Sequence, residues 1–240
     1  MFRRITYVML LLPVVAFAHE EGMSLWEELG LPDPLSVLVW TGLIFALFTA
    51  FSIYYRNGMG KHAKKVVFAC IVIPIVAGTL YLAGTTVYLN LISETGGPVH
   101  WHADYEVWAC GVKYELADPH GLDNKVGSPV LHEHNDNRIH VEGVLLHRED
   151  ASLNEFFRVI GGGFDGTTLS LPTNDGIKTW KNGDLCAGKP GKWYTFVNGQ
   201  LSESNHVLAG YTDVPPGDII KVVFSEKDQG SINTKLFEVP

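Results

Sequence analysis

The chain has 240 residues, 46% of them hydrophobic, and a formal net charge of -8. Beyond residue 95 there are 12 Lys and Arg against 20 Asp and Glu, so that stretch alone carries 12 minus 20, or -8. An acidic domain excludes nucleic acid as a partner, which needs clustered Lys and Arg.

The first apolar run covers residues 5–18 behind Arg3 and Arg4, and it ends in Ala16-Phe17-Ala18. It is short for a membrane span. Its layout is that of a signal peptide over residues 1–18, cleaved before His19; an uncleaved signal anchor is the competing reading. Residues 19–34 form a short acidic segment. Residues 35–55 are long enough for a transmembrane helix. Residues 66–92 are long enough to span with tilt, and Pro74 inside them is a point for a kink. The connector, residues 56–65, holds Arg56, Lys61, Lys64 and Lys65. A basic loop stays in the cytoplasm. The signal layout and the basic loop therefore imply one topology, a multi-pass protein of the cell membrane. Two helices cross the lipid bilayer, and residues 96–240 lie outside the cytoplasm. Tyr54, Tyr55, Tyr81 and Tyr88 fall near span ends, where interface aromatics sit.

Gly96-Gly97-Pro98 breaks the last helix and opens the domain. Residues 100–109 alternate as a strand, with His100, His102, Asp104, Glu106 and Trp108 on one face. Cys110-Gly111 turns into a second strand over 112–116. Residues 118–129 read as a loop and 139–146 as a strand. Ser152 with Glu155 three residues later forms a capping box for a helix over 153–160, which stops at Gly161-Gly162-Gly163. Strands follow at 168–171, 192–197 and 219–224, with turn residues at Asn198-Gly199 and Pro215-Pro216-Gly217-Asp218. The fold class expected is α+β: two transmembrane helices, then a mostly β extracytoplasmic domain with one short helix. Cys110 and Cys186 both fall in that domain. An exported pair suggests a disulfide, with Cys110 as a soft metal ligand the alternative. Cys70 reads as an inert thiol in a span.

Six of the chain's 10 histidines fall in residues 100–140, and five of these lie in close-set motifs. His100-Trp101-His102 and His132-Glu133-His134 are H-x-H pairs. Each presents two imidazoles on one strand face, a usual way to offer nitrogen ligands to copper or zinc. His140 follows in Arg138-Ile139-His140-Val141-Glu142. The candidate ligands are thus His100, His102, His132, His134 and His140, with Asp104, Glu106 and Glu142 as carboxylates behind them. Histidines that only cap loops or pair with acids are the bland alternative. His120, His147 and His206 read as solvated. The H-W-H is not that of a multicopper oxidase, because the domain is too small and lacks an H-C-H element. His100, His102 and Glu106 match part of a cupin motif, but no His follows the later Pro-Gly. No Met follows Met59, which excludes a blue-copper ligand set. Cleavage before His19 would also leave an N-terminal histidine able to chelate Cu(II).

Four blocks resemble a known pattern. They are His100-Trp101-His102-Ala103-Asp104, the stretch ending Leu131-His132-Glu133-His134, Ile139-His140-Val141-Glu142, and Leu153-Asn154-Glu155-Phe156-Phe157. Together they are similar to a family of membrane-anchored or exported bacterial and archaeal proteins with H-x-H, L-H-x-H, I-H-x-E and L-x-x-F-F elements. The resemblance spans about residues 99–163, with a weaker echo at Phe196-Val197-Asn198-Gly199 and Pro216-Gly217-Asp218. It implies a shared His-rich domain and no particular activity.

The leading expectation is a membrane-anchored extracytoplasmic domain that binds copper or zinc for sensing, storage or delivery, alone or with a partner membrane or surface protein. One alternative is a small cell-surface metalloenzyme, with Glu133 or Glu142 as general base beside a metal-bound water. The other is a structural or interaction module whose histidines ligate nothing.

Overall fold

A computed structural model describes residues 25–121, 123–210 and 217–240. The signal-peptide reading, His19 and the prolines of the late turn fall outside those residues. The chain is mixed α+β and divides into two compact units, up to Gly84 and from Thr85 onward.

In the first unit a short helix α1 (Leu25–Glu28) precedes α2 (Pro34–Tyr55). Asp33 caps α2, its carboxylate accepting from the Ser36 amide at 2.7 Å, and Pro34 takes the first turn, where no amide hydrogen is needed. Helix α3 (Lys61–Ile92) begins five residues before the apolar run, so Lys61, Lys64 and Lys65 lie in its opening turns and the connector shrinks to residues 56–60. Lysine is a good helix former, so the change of composition does not end the helix. Both helices are long and apolar enough to cross a membrane. At 1.5 Å per residue α2 is about 33 Å long, close to the ~30 Å of a bilayer's hydrocarbon core. Leu47, Phe68 and Leu80 are each about two-thirds exposed, which a bilayer tolerates and water does not. The two helices approach closely at Gly78. A Cβ there would lie 2.9 Å from the Thr41 hydroxyl oxygen, and small residues permit such contacts in membranes. The Tyr81 hydroxyl donates to the Pro32 carbonyl.

Among its described residues the second unit holds 13 strands and one further α-helix. In chain order the strands are β1 (Pro98–Ala109), β2 (Val112–Tyr114), β3 (Val126–Gly127), β4 (Leu131–Glu133) and β5 (Arg138–Val144). Helix α4 (Leu153–Val159) follows. Then come β6 (Gly163–Phe164), β7 (Thr168–Thr173), β8 (Gly176–Lys181), β9 (Leu185–Cys186), β10 (Lys189–Pro190), β11 (Lys192–Val197), β12 (Gln200–Ser202) and β13 (Ile219–Ser225). The main sheet runs β12-β11-β13-β1-β5-β4-β3, with β2 added beside β1. All its described pairs are antiparallel except β1 with β13.

Strand alternation divides this sheet into two faces. One face carries Ala103, Tyr105, Val107, Ile139, Val141, Leu131, Ile220, Val222 and Phe224 into the main core, where α4 places Leu153, Phe156 and Phe157. Ser152 starts α4 as the sequence indicates, its hydroxyl accepting from the Glu155 amide. The three-stranded sheet β6-β7-β8 adds Phe164, Leu169 and Leu171 to the same core. The opposite face is split along β1. Its far end carries a small apolar cluster of Trp108, Tyr194, Phe196, Val223 and Ile232. Its near end carries histidines. Cys110 and Cys186 are joined in a disulfide, with Cα atoms 5.2 Å apart, so Cys110 is not a metal ligand.

Candidate metal centre

The register of three strands builds the site. His102 on β1 stands opposite His140 on β5, and His140 stands opposite His132 on β4. Directly opposed residues of antiparallel strands share a face, so three imidazoles form one row across the sheet. In the next row His100 faces Glu142. His134 lies one residue beyond β4 and folds back toward the row. Its ring centroid is 4.9 Å from that of His132 and 4.8 Å from that of His140.

Local sequence fixes this register. The β4–β5 connection runs His134-Asn135-Asp136-Asn137, and Asn135 and Asn137 adopt φ of 65° and 56°. Asparagine enters this left-handed region more readily than other residues with a side chain. Buried Glu133 points away from the histidine row and accepts from the Asp136 and Asn137 amides at 2.6 and 3.0 Å. It pins the turn and is not available as a base beside a metal. On the other side of β4, Gly127 has φ of +118°, and a Cβ there would lie 2.6 Å from the Leu131 carbonyl oxygen. Only glycine lets β3 close this tightly on the strand that carries His132.

The ligand atoms of His132, His134 and His140 lie within 4.8 Å of one another, close enough to hold a metal ion. His132 is fully buried, and neither of its ring nitrogens has a hydrogen-bond partner. Burial is the main reason its pKa falls from 6.5 to about 4; Lys125 lowers it further and Glu142 opposes the shift. His132 is therefore neutral, the form that ligates metals. His134 donates from Nδ1 to the Asn124 carbonyl at 2.6 Å. A carbonyl only accepts, so the proton is on Nδ1 and the Nε2 lone pair is left for a ligand. Backbone carbonyls commonly orient metal-binding histidines in this way. His140 keeps 12% side-chain exposure and faces the Asp136 carboxylate, Nε2 to Oδ2, at 3.1 Å.

The remaining candidates divide. The Nε2 atoms of His100 and His102 are 2.9 Å apart, and the ring centroids of His102 and His140 are 4.6 Å apart, so all five histidines form one contiguous group. Burial lowers the pKa of His102, reinforced by His140, His100 and Arg138. Glu142 lies beside the group, 3.5 Å from His100 Nδ1 and 3.8 Å from His132 Nε2. Asp104 and Glu106 do not stand behind the ligands. Asp104 pairs with Arg138 at 2.7 Å. Glu106 is four residues past His102, about 13 Å along the strand at 3.3 Å per residue. There it accepts from Trp108 Nε1 and the Phe237 amide at 3.0 and 2.9 Å. Asp136 supplies a carboxylate instead, brought in by the Asn-flanked turn.

His206 is not solvated. Its Nε2 meets Asp218 at 2.8 Å, and that buried carboxylate also accepts from the Ala209 amide and Asn198. Burial would raise the Asp218 pKa, but these hydrogen bonds hold it below 3.8. The pair ties the Asn198-Gly199 turn to the start of β13, where the Asp218 carbonyl accepts from the Asp104 amide at 3.0 Å, two residues along β1 from His102. No protein family, no curated protein and no solved structure matches the chain.

Proposed function

We propose that this protein is a membrane-anchored, extracytoplasmic binder of a transition metal ion, copper or zinc, held by His132, His134 and His140. The observation that carries this reading is His132 itself. It is a fully buried imidazole with two unpartnered nitrogens inside a group of three ligand atoms within 4.8 Å. An unsatisfied buried polar group costs about 1–3 kcal/mol, so native proteins rarely keep one without a use. Ligand nitrogens around one zinc ion are about 3–4 Å apart, each about 2.0–2.1 Å from the metal, so a small closure of the group suffices. Neutral imidazoles suit copper and zinc, and the absence of a thiolate from this ligand set leaves nitrogen and carboxylate chemistry. Three protein ligands leave a coordination position for water or for a partner's donor. That fits sensing, storage or delivery to a membrane or surface protein.

The location follows from separate features. Two apolar helices supply the anchor in the lipid bilayer. The Cys110–Cys186 disulfide supports an oxidising compartment outside the cytoplasm. The test uses the full chain in detergent micelles, dialysed against Zn(II) or Cu(II), with bound metal counted by mass spectrometry. At least one equivalent per chain is expected, lost in His132→Ala/His140→Ala. A parent protein that retains no metal overturns the reading. An alkaline phosphatase fused after Pro240 should be active, since that enzyme works only outside the cytoplasm; an inactive but intact fusion overturns the topology.

A further inference from the structure

We infer that the site holds two metal ions, the second on His100 and His102, with the Glu142 carboxylate bridging the two positions. This rests on the metal-binding reading above. Its first support is the placement of Glu142. Oε1 lies 3.5 Å from His100 Nδ1 and Oε2 lies 3.8 Å from His132 Nε2. The two oxygens of one side chain thus address two different groups of imidazoles. Both distances exceed hydrogen-bonding range, so these contacts do not saturate the lone pairs. Carboxylates placed in this way bridge paired metal ions, which sit about 3.5–4 Å apart in two-metal sites.

The second support is the number of donors. A tetrahedral ion takes four ligands. This surface gathers five imidazoles and the carboxylates of Glu142 and Asp136 in one contiguous group. His100 and His102 already turn their Nε2 atoms to within 2.9 Å of each other. Arg138, the nearest guanidinium on β5, is paired with Asp104 at 2.7 Å, which offsets part of its repulsion of a cation at His102.

The two positions differ in access. His132 is 0% exposed, whereas His100 has 61% side-chain exposure. The outer position exchanges with solvent and the inner one retains its ion. Metal enters at the H-W-H pair and reaches the buried group past Glu142.

The experiment titrates the full-length protein in detergent with Zn(II) alone, and separately loads it with Cu(II) for electron paramagnetic resonance. Two zinc equivalents are expected, the second at least tenfold weaker. His100→Ala/His102→Ala should keep one equivalent with the tighter affinity, which also shows that the variant is folded. The parent with two Cu(II) ions should show a half-field line from magnetic coupling, absent from the double variant. A parent that binds one equivalent overturns this inference and leaves the metal-binding reading standing. A parent that binds none overturns both. Two equivalents that persist in the double variant overturn the inference by placing the second ion elsewhere. Loss of both equivalents in that variant, with its thermal unfolding unchanged, overturns it by showing one indivisible site.

Discussion

Glu106 and Lys221 at one end of the outer sheet face are as buried as His132 at the other, at 1%, 1% and 0% exposure. Glu106 accepts from Trp108 Nε1 and the Phe237 amide, and Lys221 stands opposite it on β13. The Lys221 ammonium donates to the Lys235 and Glu238 carbonyls and lies over the Trp108 ring. Both carboxylate oxygens of Glu106 accept hydrogen bonds and the Lys221 ammonium donates two, and the C-terminal segment supplies the Phe237 amide and the Lys235 and Glu238 carbonyls. His132 has the same degree of burial and no hydrogen-bond partner. A buried polar group that serves the fold is closed off by the fold. One that serves a ligand keeps its lone pairs open and makes the ligand-free protein less stable.

The largest expected effect tests the closed end. Glu106→Ala should lower the unfolding free energy by about 3–5 kcal/mol, because it strands the Lys221 charge in the interior. Chemical denaturation in detergent measures this. If Glu106→Ala melts like the parent, the two ends are not different in kind.

The next test uses pH. The folded pKa of His132, about 4, lies below its unfolded value of 6.5. Between those values the unfolded chain takes up a proton that the folded one refuses, so stability falls as pH drops from 6.5 toward 4. His102, also lowered, acts with the same sign. We expect a loss of about 1–3 kcal/mol in the metal-free protein, mostly abolished in His132→Leu. A flat profile in the parent would contradict the burial of an unpaired imidazole. Bound metal should dissociate over the same window as protons compete for the ligands.

Gly127→Ala is expected to cost about 1–2 kcal/mol through its positive φ and the clash with the Leu131 carbonyl. Because the strain falls on the strand bearing His132, zinc affinity should drop at least tenfold. Unchanged affinity would show that β3 does not hold the ligand in place.

The smallest expected effect is the sharpest contrast. His132→Leu should leave the metal-free protein as stable as the parent or about 1 kcal/mol more stable at pH 7, since it removes unsatisfied nitrogens. It should nonetheless abolish metal retention. A drop of several kcal/mol in the metal-free form would make His132 a structural residue like Glu106.

Much of this is legible wherever chemistry is local. Two long apolar runs become α2 and α3, and the Ser152/Glu155 pair starts α4. Period-2 alternation places His100 and His102 together, as their 2.9 Å contact shows. What the sequence hides is cross-strand register. β4 has three residues and β3 two, too few for a periodic pattern. The alignment of His132, His140 and His102 depends on left-handed backbone at Asn135 and Asn137, in a turn that has no glycine to announce it. Glu106 reads as a neighbour of the histidines because it shares their strand face. Its actual partner, the Phe237 amide, is 131 residues away, where no local pattern reaches. Asp136, four residues before His140, is legible as a member of the cluster, whereas the His206–Asp218 pair, 12 residues apart, follows no periodic pattern.

The parallel pairing of β1 with β13 has a kinetic consequence. Asp104 meets Ile219 at a sequence separation of 219 minus 104, or 115. Contacts of such long range form slowly, because a large loop must close before they yield any stabilisation. The β3–β4–β5 hairpins, by contrast, are local. During synthesis one edge of β1 therefore waits for β13 while the histidine row is already assembled on its other edge. A nascent chain in that state presents a bare strand edge, the kind of surface that recruits chaperones or pairs wrongly with a neighbouring chain. Metal captured by the early hairpins would hold that half together through the delay.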